Sequence, residues 1–214
     1  MESVHTLSSM VSDFPCIHNQ GYMYTNEYFI LYDVDKLVDI ATLYLQHGGT
    51  EPVSSLEPLS PFVLKGMKLL RDVSKKMPGH LHCQLLLATA SFLSGEFTKA
   101  HQYCLQCLRL DQSFAEVHIL LARIHLAQRQ HKMAEYSLEQ ALSLDFSVRQ
   151  SHKYHMVKAK VLVEAGDLQE ALKVLESAMR LPGIGKPAAG QGSLLQIFTH
   201  LSSKLKSERL YYAE

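Results

Sequence analysis

The sequence lacks a surplus of charge of either sign, because Lys and Arg together number 21 and Asp and Glu together also number 21. Proteins that bind nucleic acid or an anionic membrane surface need a basic surplus, so the composition predicts neither kind of partner. The chain also lacks an apolar run near the roughly 18 residues that cross a bilayer, so we expect no membrane insertion. Its first residues have neither the basic nor the apolar region of a secretory signal.

Cysteine is scarce, with four residues in a chain of 214. That number is too small for the disulfide scaffold of a secreted protein, so we expect reduced thiols and a cytoplasmic location. His101, Cys104 and Cys107 lie three residues apart on one predicted helix and present three potential metal ligands. The two cysteines, however, occupy positions that hold Leu or Ala in the other repeats described below. No fourth ligand has suitable spacing, so we predict no metal site.

Recognisable catalytic motifs are also missing. The sequence has no Gly-x-Ser-x-Gly, His-Glu-x-x-His or dinucleotide-binding pattern. Residues 183–186 resemble the end of a phosphate-binding loop, but Arg180 stands where that loop needs glycine and Pro187 where it needs Ser or Thr. Three histidines lie in packing columns of predicted helices, where an imidazole usually packs, namely His118, His125 and His155. We therefore predict a protein that is not an enzyme and has no cofactor.

The sequence does contain an internal repeat, in residues 81–114, 115–148 and 152–185. The copies share small residues at matched positions of two predicted helices: Ala88, Ala122 and Ala159 in the first helix, and Ala100, Ala134 and Ala171 in the second. Small residues let two helices approach closely, and helix hairpins of this kind stack to bury their apolar stripes in one continuous core. The pattern predicts an all-α protein, an α-solenoid of helix hairpins.

The regions around the three repeats are less regular. Residues 1–33 form a poorly defined N-terminal segment, and residues 34–78 fit a degenerate hairpin with a loop insertion between its helices. Residues 186–192 have the Gly and Pro content of a linker, and residues 193–214 have the apolar spacing of a C-terminal helix.

The repeat resembles the tetratricopeptide repeat family in its period and in its alanine columns. The position of the family's Trp is occupied by Gln84, His118 and His155, and that of its Tyr by Ser91, His125 and Leu162, so the copies are degenerate. Gly95 and Gly166 mark the turn between the two helices, and Arg129 holds that place in the middle copy. The resemblance implies a tetratricopeptide-type solenoid that binds other proteins.

A closer resemblance covers roughly residues 50–185. The runs at residues 115–123, 144–149 and 179–183 are similar to the large tetratricopeptide subunit of intraflagellar transport complex A. The resemblance implies a scaffold in retrograde transport along the cilium, located in the cytoplasm and at the cilium or its base, with other subunits of complex A as partners. Such subunits are far longer arrays, so the chain would be a fragment or a short isoform. The alternative is a generic co-chaperone or assembly adaptor unrelated to cilia.

Tetratricopeptide domains that capture a C-terminal carboxylate do so with paired Lys and Asn, and no Asn follows Asn26 in this chain. That type of co-chaperone is disfavoured. A different surface is predicted on the inner face of each first helix, three residues round from the packing stripe. Nine residues form this candidate partner-binding groove: Leu85, Phe92, Ile119, Arg123, Leu126, Lys153, Met156, Lys160 and Val163.

The predicted groove has an apolar floor and two cations, Arg123 and Lys160, at one column of adjacent repeats. Neither cation is needed for helix packing, so we interpret them as exposed groups that hold the carboxylates of an acidic, amphipathic partner. Two other interpretations stay open: the chain's own terminal helix fills the groove, or the groove is solvated.

Overall fold

The computed structural model describes residues 33–53 and 58–181. Within them it shows eight α-helices, one 3-10 helix and no strand. The helices are α1 (Val34–His47), α2 (Pro61–Lys76), α3 (Leu81–Leu93), α4 (Phe97–Leu110), α5 (Ala115–Ala127), α6 (His131–Leu144), α7 (His152–Ala165) and α8 (Leu168–Met179), with the 3-10 helix at Phe146–Gln150. The predicted all-α solenoid is confirmed. Most of the N-terminal segment, the linker and the predicted C-terminal helix lie outside the described residues, and the division of the chain into the predicted repeats stays a prediction.

Consecutive helices pack as four hairpins, α1 with α2, α3 with α4, α5 with α6 and α7 with α8. Each hairpin also contacts the next one through its first helix, so α1, α3, α5 and α7 follow one another along the array. This arrangement places the first helices side by side and creates the inner surface on which the candidate groove lies. No described helix has the length and apolarity that crossing a bilayer would take.

The alanine columns lie where the two helices of each hairpin meet. Ala100 and Ala134 have no exposed surface, and the same is true of Ala171 and of the three alanines in the first helices. A methyl group is the whole side chain at these positions, so the helix axes can come close and the larger apolar side chains pack around the contact. In the first hairpin Gly66 has a similar role, because a Cβ there would lie 3.3 Å from Cβ of Tyr44.

The turn between the two helices has the same backbone form in all three repeats. Gly95 and Gly166 have positive φ angles of 75° and 94°, and Arg129 adopts φ 63° in the middle copy. The residue after each of them donates its N–H to a carbonyl five residues back, at 2.9, 2.8 and 2.9 Å, on Ser91, His125 and Leu162. This bond closes the first helix, and in the middle copy the positive φ of Arg129 allows Gln130 to form it without a glycine at the turn.

The degenerate columns are polar side chains with partners of their own. Gln84, at the family's Trp position, donates to Ser74 Oγ and to the carbonyl of Pro78, both at 3.0 Å. His155, at the same column, donates through Nε2 to the carbonyl of Arg149 at 2.7 Å. These hydrogen bonds tie α3 and α7 to the segments before them, although Gln84 Oε1 and His155 Nδ1 are buried without a hydrogen-bond partner.

Enlarging an alanine of the helix contact should destabilise the array. Ala134→Leu adds three carbons at a site with no exposed surface, and such overpacking costs about 1–3 kcal/mol of unfolding free energy. Ala165→Leu is the matched control, because Ala165 is exposed at the end of α7. Urea denaturation of both variants measures the difference. Equal unfolding free energies would show that the helices do not meet at Ala134.

Candidate partner-binding groove

A groove of about 910 Å³ runs along the inner faces of α3, α5 and α7. All nine residues predicted from the helix faces line it. Of the six apolar residues among these nine, four are buried, whereas Met156 and Val163 are half-buried. Leu85 and Phe92 also belong to the core of the array, so the floor of the groove is the outer layer of that core. Their role in binding a partner stays a prediction.

One wall of the groove is a segment that sequence reasoning described only as a loop. Residues 49–53, here termed the strap, follow α1 and lie across the first helices of the next three hairpins. The N–H of Val53 donates to the carbonyl of Leu93 at 2.9 Å. The carbonyl of Thr50 accepts a hydrogen bond from the guanidinium of Arg123, and the carboxylate of Glu51 pairs with the ammonium of Lys160. Both predicted cations are therefore engaged by the chain itself.

Arg123 is held on two sides. Its guanidinium lies over the ring of Phe92, 4.5 Å from the ring centroid, and bonds the backbone of the strap. Burial lowers the pKa of Arg123, and the nearby carboxylate of Glu51 opposes that effect. The expectation that Arg123 is an exposed group without a role in the fold is wrong, because its charge is largely removed from water and needs the acceptor that the strap supplies.

Lys160 is in a different environment from Arg123. Its side chain is 33% exposed and that of its partner Glu51 is 58% exposed. An ion pair with this much contact with water contributes little to stability, since solvent screens it. Lys160 thus has a partner within the chain, but the contact is one that another carboxylate can replace.

Cationic and anionic side chains line the groove in nearly equal numbers. Lys153 is exposed at its far end, next to His152, whose pKa is lowered by burial and by Lys153. Carboxylates line the groove from several elements: Glu51, Glu116, Asp145 and Glu164. The interpretation in which the terminal helix fills the groove concerns residues 193–214, which lie outside the described residues. The interpretation of a merely solvated groove is wrong for the strap side, where residues 49–53 are seated.

The cysteines are packed groups away from the groove. Cys83, Cys104 and Cys107 have no exposed surface and are free thiols. Burial raises the pKa of Cys104 to about 12 and those of Cys83 and Cys107 to about 11. The ring of His101 contacts the ring of His125, with 6.1 Å between their centroids. Among the described residues, no group of three or more His, Cys, Asp or Glu is arranged to hold a metal ion.

Comparison with models of known protein families shows which family the chain resembles. The model described as the second ARM domain of tetratricopeptide repeat protein 21 matches residues 4–129. The chain belongs to the tetratricopeptide repeat protein 21 family. That family's ARM repeat model matches residues 146–210, and the general tetratricopeptide repeat model matches residues 115–147. The resemblance indicated by the alanine columns is confirmed.

Relatives within the tetratricopeptide repeat protein 21 family are much longer than this chain. This chain is 33% identical over 192 residues to human tetratricopeptide repeat protein 21B. The aligned region covers 90% of this chain and 15% of the relative. Mouse tetratricopeptide repeat protein 21A is 35% identical over 163 residues, 76% of this chain and 12% of the relative. The chain thus spans about a seventh of the length of the human relative.

A solved structure supports the fold alone. A thermophilic tetratricopeptide repeat protein of Thermus thermophilus superposes with a TM-score of 0.60, covering 95% of this chain and 93% of its own. Its sequence is 15% identical to this chain. Two sequences so different share the architecture because helix hairpins of this type need only small residues at the contacts and apolar residues around them.

The two cations of the groove should differ in their contribution to stability. Arg123→Met retains much of the apolar length but leaves the Thr50 carbonyl without its donor, and we expect a loss of about 1–3 kcal/mol of unfolding free energy. Lys160→Met removes a partly exposed pair and should cost less than about 1 kcal/mol. Urea denaturation of both variants decides the order. If Arg123→Met were no more harmful than Lys160→Met, the guanidinium would not be anchored by the strap.

The buried thiols should be inert in the folded chain. A thiolate is the reactive form, and thiols whose pKa is about 11 or 12 are almost wholly protonated at pH 8. Iodoacetamide at pH 8 should leave Cys83, Cys104 and Cys107 unmodified, and the same residues should react fully in denaturant. Peptide mapping by mass spectrometry measures both states. Rapid native modification of Cys104 would contradict its burial.

Proposed function

We propose that the chain is a non-enzymatic protein–protein interaction scaffold that works in ciliary retrograde intraflagellar transport, as part of complex A. Membership of the tetratricopeptide repeat protein 21 family supports a scaffold of helix hairpins. The sequence resemblance to the large tetratricopeptide subunit of complex A supports the ciliary assignment. The chain acts in the cytoplasm and at the cilium or its base, and its partners are other protein subunits.

The observation that carries the proposal is the groove itself. Its volume of about 910 Å³ extends along three consecutive first helices and has a floor of apolar side chains. A helix or an extended segment of a partner binds such a surface by placing apolar anchors on the floor and a charged group at the rim. The partner-binding residues are the nine predicted ones, with Lys153 as the cation that lies exposed at the far end of the groove.

Because the chain spans about a seventh of the human relative, the groove is one stretch of what a longer array would present as a continuous inner surface. The affinity of this stretch is then only part of the affinity of an array. A local change in the groove should weaken the assembly without abolishing the fold, since each hairpin contacts only its neighbours.

A charge reversal in the groove tests the proposal. The tagged chain is expressed in ciliated cells as wild type, as Lys153→Glu and as the control Lys132→Glu, which reverses an exposed lysine on α6 outside the groove. We expect wild type and Lys132→Glu to co-purify subunits of complex A, and Lys153→Glu to retain them about tenfold less well, a change of about 1.4 kcal/mol. Melting temperatures of the two variants should agree, because exposed substitutions rarely change stability.

Two outcomes would contradict the proposal in different ways. Equal recovery of complex A subunits by both variants would place the contact outside the groove. Recovery of the same partners from ciliated and unciliated cells, with complex A subunits absent, would instead favour the generic assembly adaptor.

A further inference from the structure

We propose that the strap, residues 49–53, is a resident internal ligand of the groove, and that an acidic, extended segment of a partner binds by displacing it. The partner then makes the three contacts that the strap makes now: a carboxylate on Lys160, a backbone carbonyl on Arg123 and a backbone N–H on the carbonyl of Leu93. The identity of that partner rests on the proposed function, whereas the occupancy of the groove by the strap does not.

The strap has the chemistry of a bound peptide. Its contacts alternate between backbone and side chain, and they reach three successive hairpins through α3, α5 and α7. Main-chain hydrogen bonds give an extended ligand its position, and one charged side chain gives it a register. The structure therefore shows, within the chain, which groups of a ligand this groove can recognise.

The strap satisfies the polar half of the groove and leaves the apolar half to another molecule. None of its four side chains is buried: Thr50, Pro52 and Val53 are half-buried, and Glu51 is exposed. The groove of about 910 Å³ beside it is lined by residues of α3, α5 and α7, among them the apolar Leu126 and Val163. A partner segment that carries apolar anchors as well as a carboxylate satisfies both halves, so it has an advantage that the strap lacks.

The strap is also attached in a way that permits release. Gly49, at its start, has φ 106°, and nothing within 4 Å would meet a Cβ there, so the chain turns at an open point. Two of its three contacts are weak. One is the single backbone hydrogen bond from Val53 to Leu93, and the other is the partly exposed ion pair between Glu51 and Lys160. Segments with few buried contacts open locally at much lower free energy than the whole fold.

Release without replacement is disfavoured by Arg123. Its guanidinium lies against the Phe92 ring and bonds the Thr50 carbonyl, so an open strap leaves a desolvated cation without an acceptor. The groove consequently has two satisfied states, one with the strap in place and one with an acidic partner in place. The strap thereby lowers the apparent affinity for any ligand that does not supply both a carbonyl and a carboxylate.

The test uses the chain's own segment as the probe. A fluorescein-labelled peptide with the sequence of residues 47–53 is titrated, by anisotropy, into wild type, into Glu51→Lys and into the control Glu135→Lys, which changes an exposed glutamate on α6. In the same samples, hydrogen exchange reports the N–H of Val53. In Glu51→Lys the lysine repels Lys160, so we expect faster Val53 exchange and at least about tenfold tighter peptide binding than in wild type or in Glu135→Lys.

A charge swap completes the test. Glu51→Lys combined with Lys160→Glu restores the pair within the chain, so Val53 protection should return and the gain in peptide binding should vanish. If Glu51→Lys changes neither readout relative to Glu135→Lys, the strap is not held by this pair and the inference is overturned. Faster exchange without tighter peptide binding would also overturn it, because the strap would then be a wall and not a ligand. Neither readout needs subunits of complex A, so these failures are distinct from failure of the proposed function.

Discussion

The close contact between the two helices of each hairpin is the constraint on which the rest of the structure depends. Ala88 and Ala100 in one hairpin, and Ala122 and Ala134 in the next, are wholly buried, so a larger side chain there would have to displace its neighbours. The contact fixes how each first helix is rotated about its axis. That rotation in turn decides which side chains face the inner surface, so the groove is a consequence of the packing that borders it on the same helices.

This dependence explains why the floor of the groove could be predicted from the sequence. The α-helical period carries a residue's face from one turn to the next, so Ile119 and Leu126, at i−3 and i+4 from Ala122, lie beside it on α5, and they also border the groove. The turns were equally readable, because glycine at positive φ marks a helix end and Arg129 holds the equivalent place. Both signals are local, and local signals survive in a single sequence.

The strap could not be predicted, because its contacts are long-range and follow no local pattern in the sequence. Thr50 contacts a residue 73 positions away and Glu51 one 109 positions away, and neither distance follows from any period in the sequence. Two of the three contacts use backbone atoms of the strap, which every residue type offers. Arg123 lies on the inner face as predicted but is not exposed there, because the strap covers its guanidinium.

The long connection in the first hairpin makes contacts with the groove that the short turns of the later hairpins do not make. Within each later hairpin, the two helices are joined by a turn of no more than three residues, at 94–96, 128–130 and 166–167. In the first hairpin, residues 48–60 separate α1 from α2. A short turn has no backbone to spare for contacts elsewhere, since its N–H groups close the helices that flank it. The longer connection has free backbone groups and enough reach to cross three first helices. In an array of otherwise similar hairpins, the insertion therefore determines which cations of the groove are engaged within the chain and which part of its floor the strap leaves uncovered.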